Sequence, residues 1–144
     1  MIKTFRGLLE DGGQDQIRLS TIKGKVGYRI IKLQIIDDTP GASNTENVVK
    51  IYTKEQSSID GAVDFGDSAL LGVAFWVYNH SNPTFSTPQA VIFEGRIVNQ
   101  DIYVTNKDVA PNATPCNYYL ELEVIPLTDQ GAEYTTLKDI RTQS

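Results

Sequence analysis

Apolar and polar residues alternate along most of this chain in short runs, which end at glycine, proline, asparagine or aspartate. A period of two places successive side chains on opposite faces of an extended strand. The runs are rich in β-branched and aromatic residues, which favour strands. The pattern predicts about eight strands, at residues 2–9, 16–21, 28–36, 48–53, 70–78, 89–93, 97–105 and 117–125.

Two of these runs predict which side chains face the core. In the run 117–125, alternate positions are apolar and are expected to be buried: Tyr118, Leu120, Leu122 and Val124. The run 28–36 is partly apolar on both faces, with Arg29, Ile31, Leu33 and Ile35 on one and Tyr28, Ile30, Lys32, Gln34 and Ile36 on the other.

The spacing of the runs predicts an all-β fold. No helical pattern separates the strands, so a parallel sheet with crossover helices is not expected. The 144 residues are predicted to form a single domain, 1–144, built as an antiparallel β-sandwich, with a jelly roll as a candidate topology. Turns are expected at Gly12-Gly13, Pro40-Gly41 and Asp60-Gly61, and exposed loops at 79–88 and 106–115.

The end of the chain departs from this pattern. Leu137 and Ile140 are three residues apart, as on one face of a helix, whereas Thr135 and Thr136 are weak helix formers. Residues 130–144 are therefore predicted to form a short C-terminal helix or an arm that orders on a neighbouring molecule, and a last strand is the third alternative.

Charge and composition exclude several classes of function. Thirteen Lys and Arg against 18 Asp and Glu give a net charge of −5, and the chain contains no basic run, so no nucleic-acid partner is expected. One His and one Cys provide neither a zinc site of three or four such ligands nor an intrachain disulfide. The longest apolar run, 69–78, is about half as long as a membrane-spanning helix. The first residues have no secretory pattern, which predicts synthesis in the cytoplasm without export.

The carboxylates do not match a catalytic or metal-binding motif. Asp60, Asp64 and Asp67 lack the spacing of an EF-hand loop and are expected to flank turns. Glu121 and Glu123 share one strand face, where a solvated pair is expected rather than an acid and base.

The remaining candidates for chemistry are single residues. His80 is expected in a polar loop, and Cys116 is expected to be a small, partly buried apolar residue. We therefore predict no enzymatic activity, no cofactor and no metal. The aromatic residues offer either a platform for sugar rings or core packing, and core packing is favoured: Trp76, Tyr78, Phe85, Tyr118 and Tyr119.

Eight blocks of the sequence are similar to segments of one group of proteins: TFRG (4–7), GYRIIK (27–32), NVVKIY (47–52), DGAVDF (60–65), VIF (91–93), NQDIYVT (99–105), CNYYLELE (116–123) and TLKDIR (136–141). Through these blocks the chain resembles small virion structural proteins of marine tailed bacteriophages. The resemblance covers most of the chain and contains strand and turn segments without catalytic residues. It implies a β-domain that assembles on other particle proteins.

On this basis the sequence predicts a capsid decoration or cement protein that is located in the virion. Its expected partners are the major capsid protein or other virion proteins, and copies of itself in a homo-oligomer such as a trimer. The alternatives are a tail or head-to-tail component and a carbohydrate-binding β-sandwich module that contacts host glycans. Loop and tail residues are the candidate contacts: Asn82, Thr84, Phe85, Leu137, Ile140 and Arg141.

Overall fold

The computed structural model describes residues 1–19, 26–79, 89–93 and 95–127. These residues form eight strands and no helix. The strands are β1 (Ile2–Leu9), β2 (Gln14–Ile17), β3 (Val26–Asp37), β4 (Thr45–Tyr52), β5 (Leu70–Tyr78), β6 (Gln89–Ile92), β7 (Ile102–Asp108) and β8 (Cys116–Pro126). The all-β prediction and the number of strands are confirmed for this part of the chain.

The strands form two antiparallel sheets. The three-stranded sheet has the order β1-β8-β3, and the five-stranded sheet has the order β2-β7-β4-β5-β6. β8 thus lies between β1 and β3, and β7 lies between β2 and β4, so both sheets join distant parts of the chain. The sheets enclose one main core, which makes the fold the predicted β-sandwich.

The main core is built from alternate residues of both sheets. Leu120 and Leu122 of β8, Val49 and Ile51 of β4, and Val104 of β7 have no solvent-exposed surface. Burying each such side chain contributes about 1.5–3 kcal/mol. The predicted inner face of β8 is confirmed, because Tyr118 is also buried and Val124 packs against the core.

A β-bulge in β3 corrects the predicted faces of this strand. The register against β8 shifts between Ile30 and Lys32, so Ile31 is an extra residue. An extra residue reverses the alternation of side chains beyond it. Ile30 before the bulge and Leu33 and Ile35 after it are therefore all buried, although the sequence pattern placed Ile30 opposite the other two. The strand has one apolar inner face and one largely polar outer face.

The second strand begins earlier than predicted, at Gln14 rather than residue 16, and ends at Ile17. Gly12 has a φ of 74°, which a residue without a side chain adopts without strain. Its N–H donates to Asn106 O at 2.8 Å, and Asn106 N–H donates to Gly13 O at 3.1 Å. The predicted turn is thus already bonded to β7, and pairing continues directly into β2.

The seventh strand lies further along the chain than predicted, at Ile102–Asp108 rather than 97–105. Upstream of it, Val98 forms only an isolated bridge with Tyr28. The predicted exposed loop at 106–115 consequently starts too early: Asn106 is fully buried in β7, and its amide donates to Leu9 O at 3.1 Å. The predicted C-terminal helix or arm at 130–144 lies outside the described residues, as does the predicted loop beyond Asn79 up to residue 88.

Replacing one fully buried leucine tests the central position of β8. We expect Leu120→Ala to lower the free energy of unfolding by about 2–5 kcal/mol, because the truncation leaves a cavity between the sheets. The matched control is Ile2→Ala, since Ile2 is 54% exposed and its truncation should change stability by about 0.5 kcal/mol or less. Urea unfolding followed by fluorescence measures both values, and equal losses would contradict the core assignment.

Candidate functional site

The residues predicted to make contacts all lie outside the described part of the chain. They are Asn82, Thr84 and Phe85 in one segment, and Leu137, Ile140 and Arg141 in the other. His80 also lies outside it. The described residues instead present two fixed loops, a buried polar network and two apolar surfaces.

The aspartates of the β4–β5 loop, residues 53–69, form turns as the sequence predicts. Asp64 Oδ1 accepts a hydrogen bond from Gly66 N–H at 2.8 Å, and Asp67 Oδ1 accepts one from Ala69 N–H at 2.9 Å. These are side-chain-to-backbone bonds two residues ahead, which stabilise Asx turns. Within the described residues, no grouping of three or more His, Cys, Asp or Glu side chains suits a metal ion.

Lys50 is a buried cation that the sequence analysis did not single out. Its Nζ lies 3.1 Å from Asp60 Oδ1 and donates to Ala62 O at 2.6 Å. The ammonium group also lies 5.6 Å from the centre of the Tyr52 ring. The hydrogen bond and charge of Lys50 lower the pKa of Asp60. The signal in the sequence was a single lysine within the apolar run of β4.

This lysine holds the β4–β5 loop against the outer face of the five-stranded sheet. Gln56 N–H donates to Gln14 Oε1 at 2.9 Å, which fastens the start of the loop to β2. Further along, Gly61 passes so close to Val109 that a Cβ atom would lie 2.3 Å from Val109 Cγ2. The loop therefore covers the β2, β7 and β4 side of this face.

The two glutamates of β8 form cross-strand ion pairs. Glu123 pairs with Arg29, and Glu121 Oε2 lies 3.8 Å from Lys32 Nζ. Both partners come from β3, directly opposite in the register. Each carboxylate thus has its own cation, an arrangement that differs from two carboxylates facing one substrate bond.

The aromatic residues in the described part of the chain do not form one platform. Trp76 is half-buried and packs against the core, and buried Tyr118 donates its hydroxyl to Asp15 Oδ2 at 2.9 Å. Tyr119 follows Tyr118 on β8 and therefore points to the opposite face. The prediction of core packing is confirmed for Trp76 and Tyr118, and Phe85 lies outside the described residues.

A buried carboxylate organises the loop between β7 and β8. Asp108 Oδ1 accepts hydrogen bonds from Glu46 N–H and Ala110 N–H, both at 3.0 Å. Its Oδ2 accepts from both the backbone N–H and the hydroxyl of Thr114, each at 2.8 Å. Burial by itself raises the pKa of Asp108, but the hydrogen bonds from Thr114, Glu46 and Ala110 outweigh it and the pKa is lowered.

A second buried carboxylate lies in the same network. Asp37 Oδ1 accepts from Asn47 Nδ2 at 3.1 Å, and Asn47 Nδ2 also lies 3.4 Å from Thr114 Oγ1. Burial and the neighbouring charge of Asp38 raise the pKa of Asp37, in contrast to Asp108. The buried polar network thus holds two carboxylates, of which Asp37 has a raised pKa and Asp108 a lowered pKa.

Cys116 adjoins this network and is completely buried. Its thiol lies 3.7 Å from Ile36 O. Burial and the charges of Asp37, Asp38 and Asp108 raise the pKa of Cys116 to about 12. Because the nucleophilic form of cysteine is the thiolate, this residue is structural, as predicted.

The first apolar surface lies where the β4–β5 loop does not reach. Phe75 and Val77 of β5 are 39% and 43% exposed, and Val91 of β6 is 44% exposed. Val91 stands opposite Val73 on β5, so it shares the outer face with Phe75 and Val77. We call these three residues the β5–β6 patch.

The second apolar surface is a cleft of about 300 Å³ between β3 and the β5–β6 edge. Its lining is Leu33, Gln34, Ile35, Ile36, Ala74, Trp76, Gln89 and Ala90. The indole Nε1 of Trp76 is buried and has no hydrogen-bond partner among the described residues. We call this feature the β3 cleft. The patch and the cleft lie on opposite faces of β5 and β6.

Comparison with known proteins adds no assignment. The chain matches no protein-family model, and no curated protein sequence is significantly similar to it. In the described ranges, no helix has the length and apolar character needed to cross a membrane.

A neutral replacement tests the role of the Asp108 carboxylate. We expect Asp108→Asn to lower the free energy of unfolding at pH 7 by about 3 kcal/mol, because an amide accepts hydrogen bonds through only one atom. The folded protein lowers this pKa from its ordinary value of 3.8, so the carboxylate stabilises the fold above that pH. Its contribution is lost as the pH falls through the folded-state value. Urea titrations of the wild-type protein and of Asp108→Asn between pH 7 and pH 2.5 measure how the difference in their free energies of unfolding changes with pH.

The matched control is Asp37→Asn in the same network. Since the fold raises the pKa of Asp37, it disfavours the charged form at neutral pH, and an amide relieves that cost. We expect a smaller loss at pH 7 than for Asp108→Asn. A loss in Asp108→Asn that is independent of pH would show that its effect is steric rather than electrostatic.

Proposed function

We propose that this protein is a structural component of a bacteriophage virion and acts as a decoration or cement protein that binds and stabilises the capsid. The observation that carries the proposal is the β5–β6 patch. Three large apolar side chains, Phe75, Val77 and Val91, are exposed together on a strand surface whose other half is covered by the chain's own loop. Contiguous apolar surface of this kind is typical of protein-protein contacts.

The order of the strands supports this proposal. A jelly roll has its first, eighth, third and sixth strands in one sheet and its second, seventh, fourth and fifth in the other. This sandwich has the same order, except that β6 pairs with β5 instead of β3. Jelly rolls are common among viral capsid proteins, and they are also found in lectins, so the order supports a class of architecture rather than one activity.

The blocks that resemble virion proteins are also neighbours in space. Those at 4–7, 27–32 and 116–123 lie in β1, β3 and β8, which form the three-stranded sheet. The blocks at 47–52, 91–93 and 99–105 lie in or overlap β4, β6 and β7 of the other sheet. These blocks therefore lie mainly in the strands that build the two sheets.

In the proposed role, the major capsid protein is the partner of the β5–β6 patch, and a homo-oligomer such as a trimer binds several capsid subunits at once. Multiple weak contacts then hold the shell together through avidity. The tail or head-to-tail role remains the second virion proposal. The distribution of the aromatic residues over different faces favours a structural role over the carbohydrate-binding alternative, because Trp76 and Tyr118 pack inward.

The number of copies per virion tests the proposal most directly. We expect quantitative mass spectrometry of purified particles to find this protein at parity with the major capsid protein, or at one third of it, because a cement protein covers the shell. A few dozen copies or fewer would place the protein in the tail, portal or vertices. Its absence from particles would contradict the virion role.

A charge in the β5–β6 patch tests the proposed contact. We expect Val77→Glu to weaken binding to capsids that lack this protein by at least about tenfold, since an apolar contact then has to bury a carboxylate. The control is Ile2→Glu, which adds the same charge at an exposed position of the other sheet. Co-sedimentation with capsids measures both. Equal binding by the two variants would exclude the patch as the contact.

A further inference from the structure

We propose that β1 is the contact between two copies of this protein. In this contact β1 pairs antiparallel with β1 of the second copy, so that the two three-stranded sheets join into one sheet. The inference concerns the isolated chain and does not rest on the virion role. It follows from the exposure of β1, from the direction of its peptide groups and from the pattern of its side chains.

β1 is a long and regular strand at the edge of its sheet. It has eight residues without proline, and its register against β8 is continuous. Ile2 and Leu8 are 54% and 52% exposed, and Thr4 and Arg6 are exposed as well. Among the described residues, no strand pairs with the outer side of β1. Short length, bulges and proline are common protections of an edge strand, and β1 has none of them.

The direction of the peptide groups in β1 follows from one hydrogen bond. Val124 N–H donates to Met1 O at 2.9 Å. Bonded pairs alternate along an antiparallel ladder, so the odd-numbered residues of β1 bond to β8. The N–H and C=O groups of the even-numbered residues, from Ile2 to Leu8, therefore point away from β8. Their side chains lie on the outer face of the sheet, because Phe5 and Leu9 pack against the core.

The side chains of β1 select a second copy of this strand as the occupant, since β1 is complementary to itself. In the antiparallel register centred on Phe5, outward peptide groups face outward peptide groups. Ile2 then lies opposite Leu8 of the second copy, so the exposed apolar side chains of the two strands cover each other. This happens twice, because the pairing has two-fold symmetry.

The two cations of β1 allow this register and oppose its neighbour. Charged side chains usually protect an edge strand, and β1 contains Lys3 and Arg6 but no carboxylate. In the register centred on Phe5, Lys3 lies opposite Gly7 and Arg6 lies opposite Thr4, so no cation faces another. A shift by two residues in one direction places Arg6 opposite Arg6 of the second copy, which is destabilising. The same shift in the other direction leaves Leu8 without a partner.

The mass and the amide exchange of the full chain in solution test the pairing. We expect sedimentation equilibrium to approach twice the mass of one chain as the concentration rises to about 1 mM. With the same dependence on concentration, exchange of the Thr4 and Arg6 amides should slow by at least about tenfold. Thr4→Pro removes one outward N–H from each copy and leaves the bonds to β8 in place. We expect this variant to raise the dissociation constant of the dimer by at least about tenfold.

A charge substitution tests the register without removing a backbone group. Thr4→Lys places a second cation opposite Arg6 at two symmetric positions, and we expect the dissociation constant to rise about threefold or more. Adding Arg6→Glu makes both facing pairs opposite in charge and should restore wild-type affinity. The matched control is Ile36→Lys, because Ile36 is 54% exposed on β3, at the far edge of the same sheet. Its effect should be less than about twofold.

Four results would overturn the inference. The first is the mass of a single chain at every concentration up to about 1 mM. The second is a trimer, or a dimer with unchanged affinity in Thr4→Pro, since either would require another contact. The third is slow exchange of the Thr4 and Arg6 amides at every concentration, which would show that another segment of the same chain covers the edge. The fourth is an equal loss of affinity in Thr4→Lys and Ile36→Lys, which would reflect net charge alone.

The pairing and the proposed capsid contact can fail separately. The substitutions at Thr4 and Arg6 lie on the three-stranded sheet, whereas the β5–β6 patch lies on the other sheet. Because Ile2 belongs to the pairing, Ile36→Glu is the control for Val77→Glu that leaves both contacts unchanged. Loss of capsid binding in Val77→Glu with an intact dimer would support both proposals.

Discussion

The position of β8 between β1 and β3 is the constraint on which the rest of the structure depends. The inner residues of this strand, including Leu120 and Leu122, are completely buried in the core between the sheets. Its backbone bonds to β1 through one set of residues and to β3 through the other, which fixes the direction of every peptide group in the sheet. Because of the bulge at Ile31, the side chains of Leu33 and Ile35 face the core. Their backbone N–H and C=O groups point away from β8.

Buried charges fix the two long loops of the five-stranded sheet. Lys50 binds the β4–β5 loop through Asp60 and the carbonyl of Ala62, and Asp108 binds the loop after β7 through backbone N–H groups and Thr114. Burying an ion costs free energy unless hydrogen bonds compensate it. Each loop therefore stays where its polar groups can bond to the buried charge. Both side chains stand on adjacent strands, β4 and β7, which makes this part of the sheet the rigid support for the loops.

These loops also determine which surfaces stay open. The β4–β5 loop covers one half of the outer face and leaves Phe75, Val77 and Val91 exposed on the other half. The β3 cleft lies on the inner side of the same strands. The β5–β6 patch and the β3 cleft therefore lie back to back on β5 and β6.

The alternation of apolar residues determined the strand content and the inner face of β8, and the paired glycines determined the turn at Gly12, because these features depend on neighbours along the chain. The structural role of Cys116 was also predicted, since a lone cysteine in a strand-like run is usually packed inside. The sequence did not reveal the bulge at Ile31, the buried state of Lys50 and Asn106, or the β3 cleft. Each of these depends on which strand lies beside which, and a register shift of one residue, invisible in composition, exchanges the two faces of a strand. Only the tertiary structure decided them.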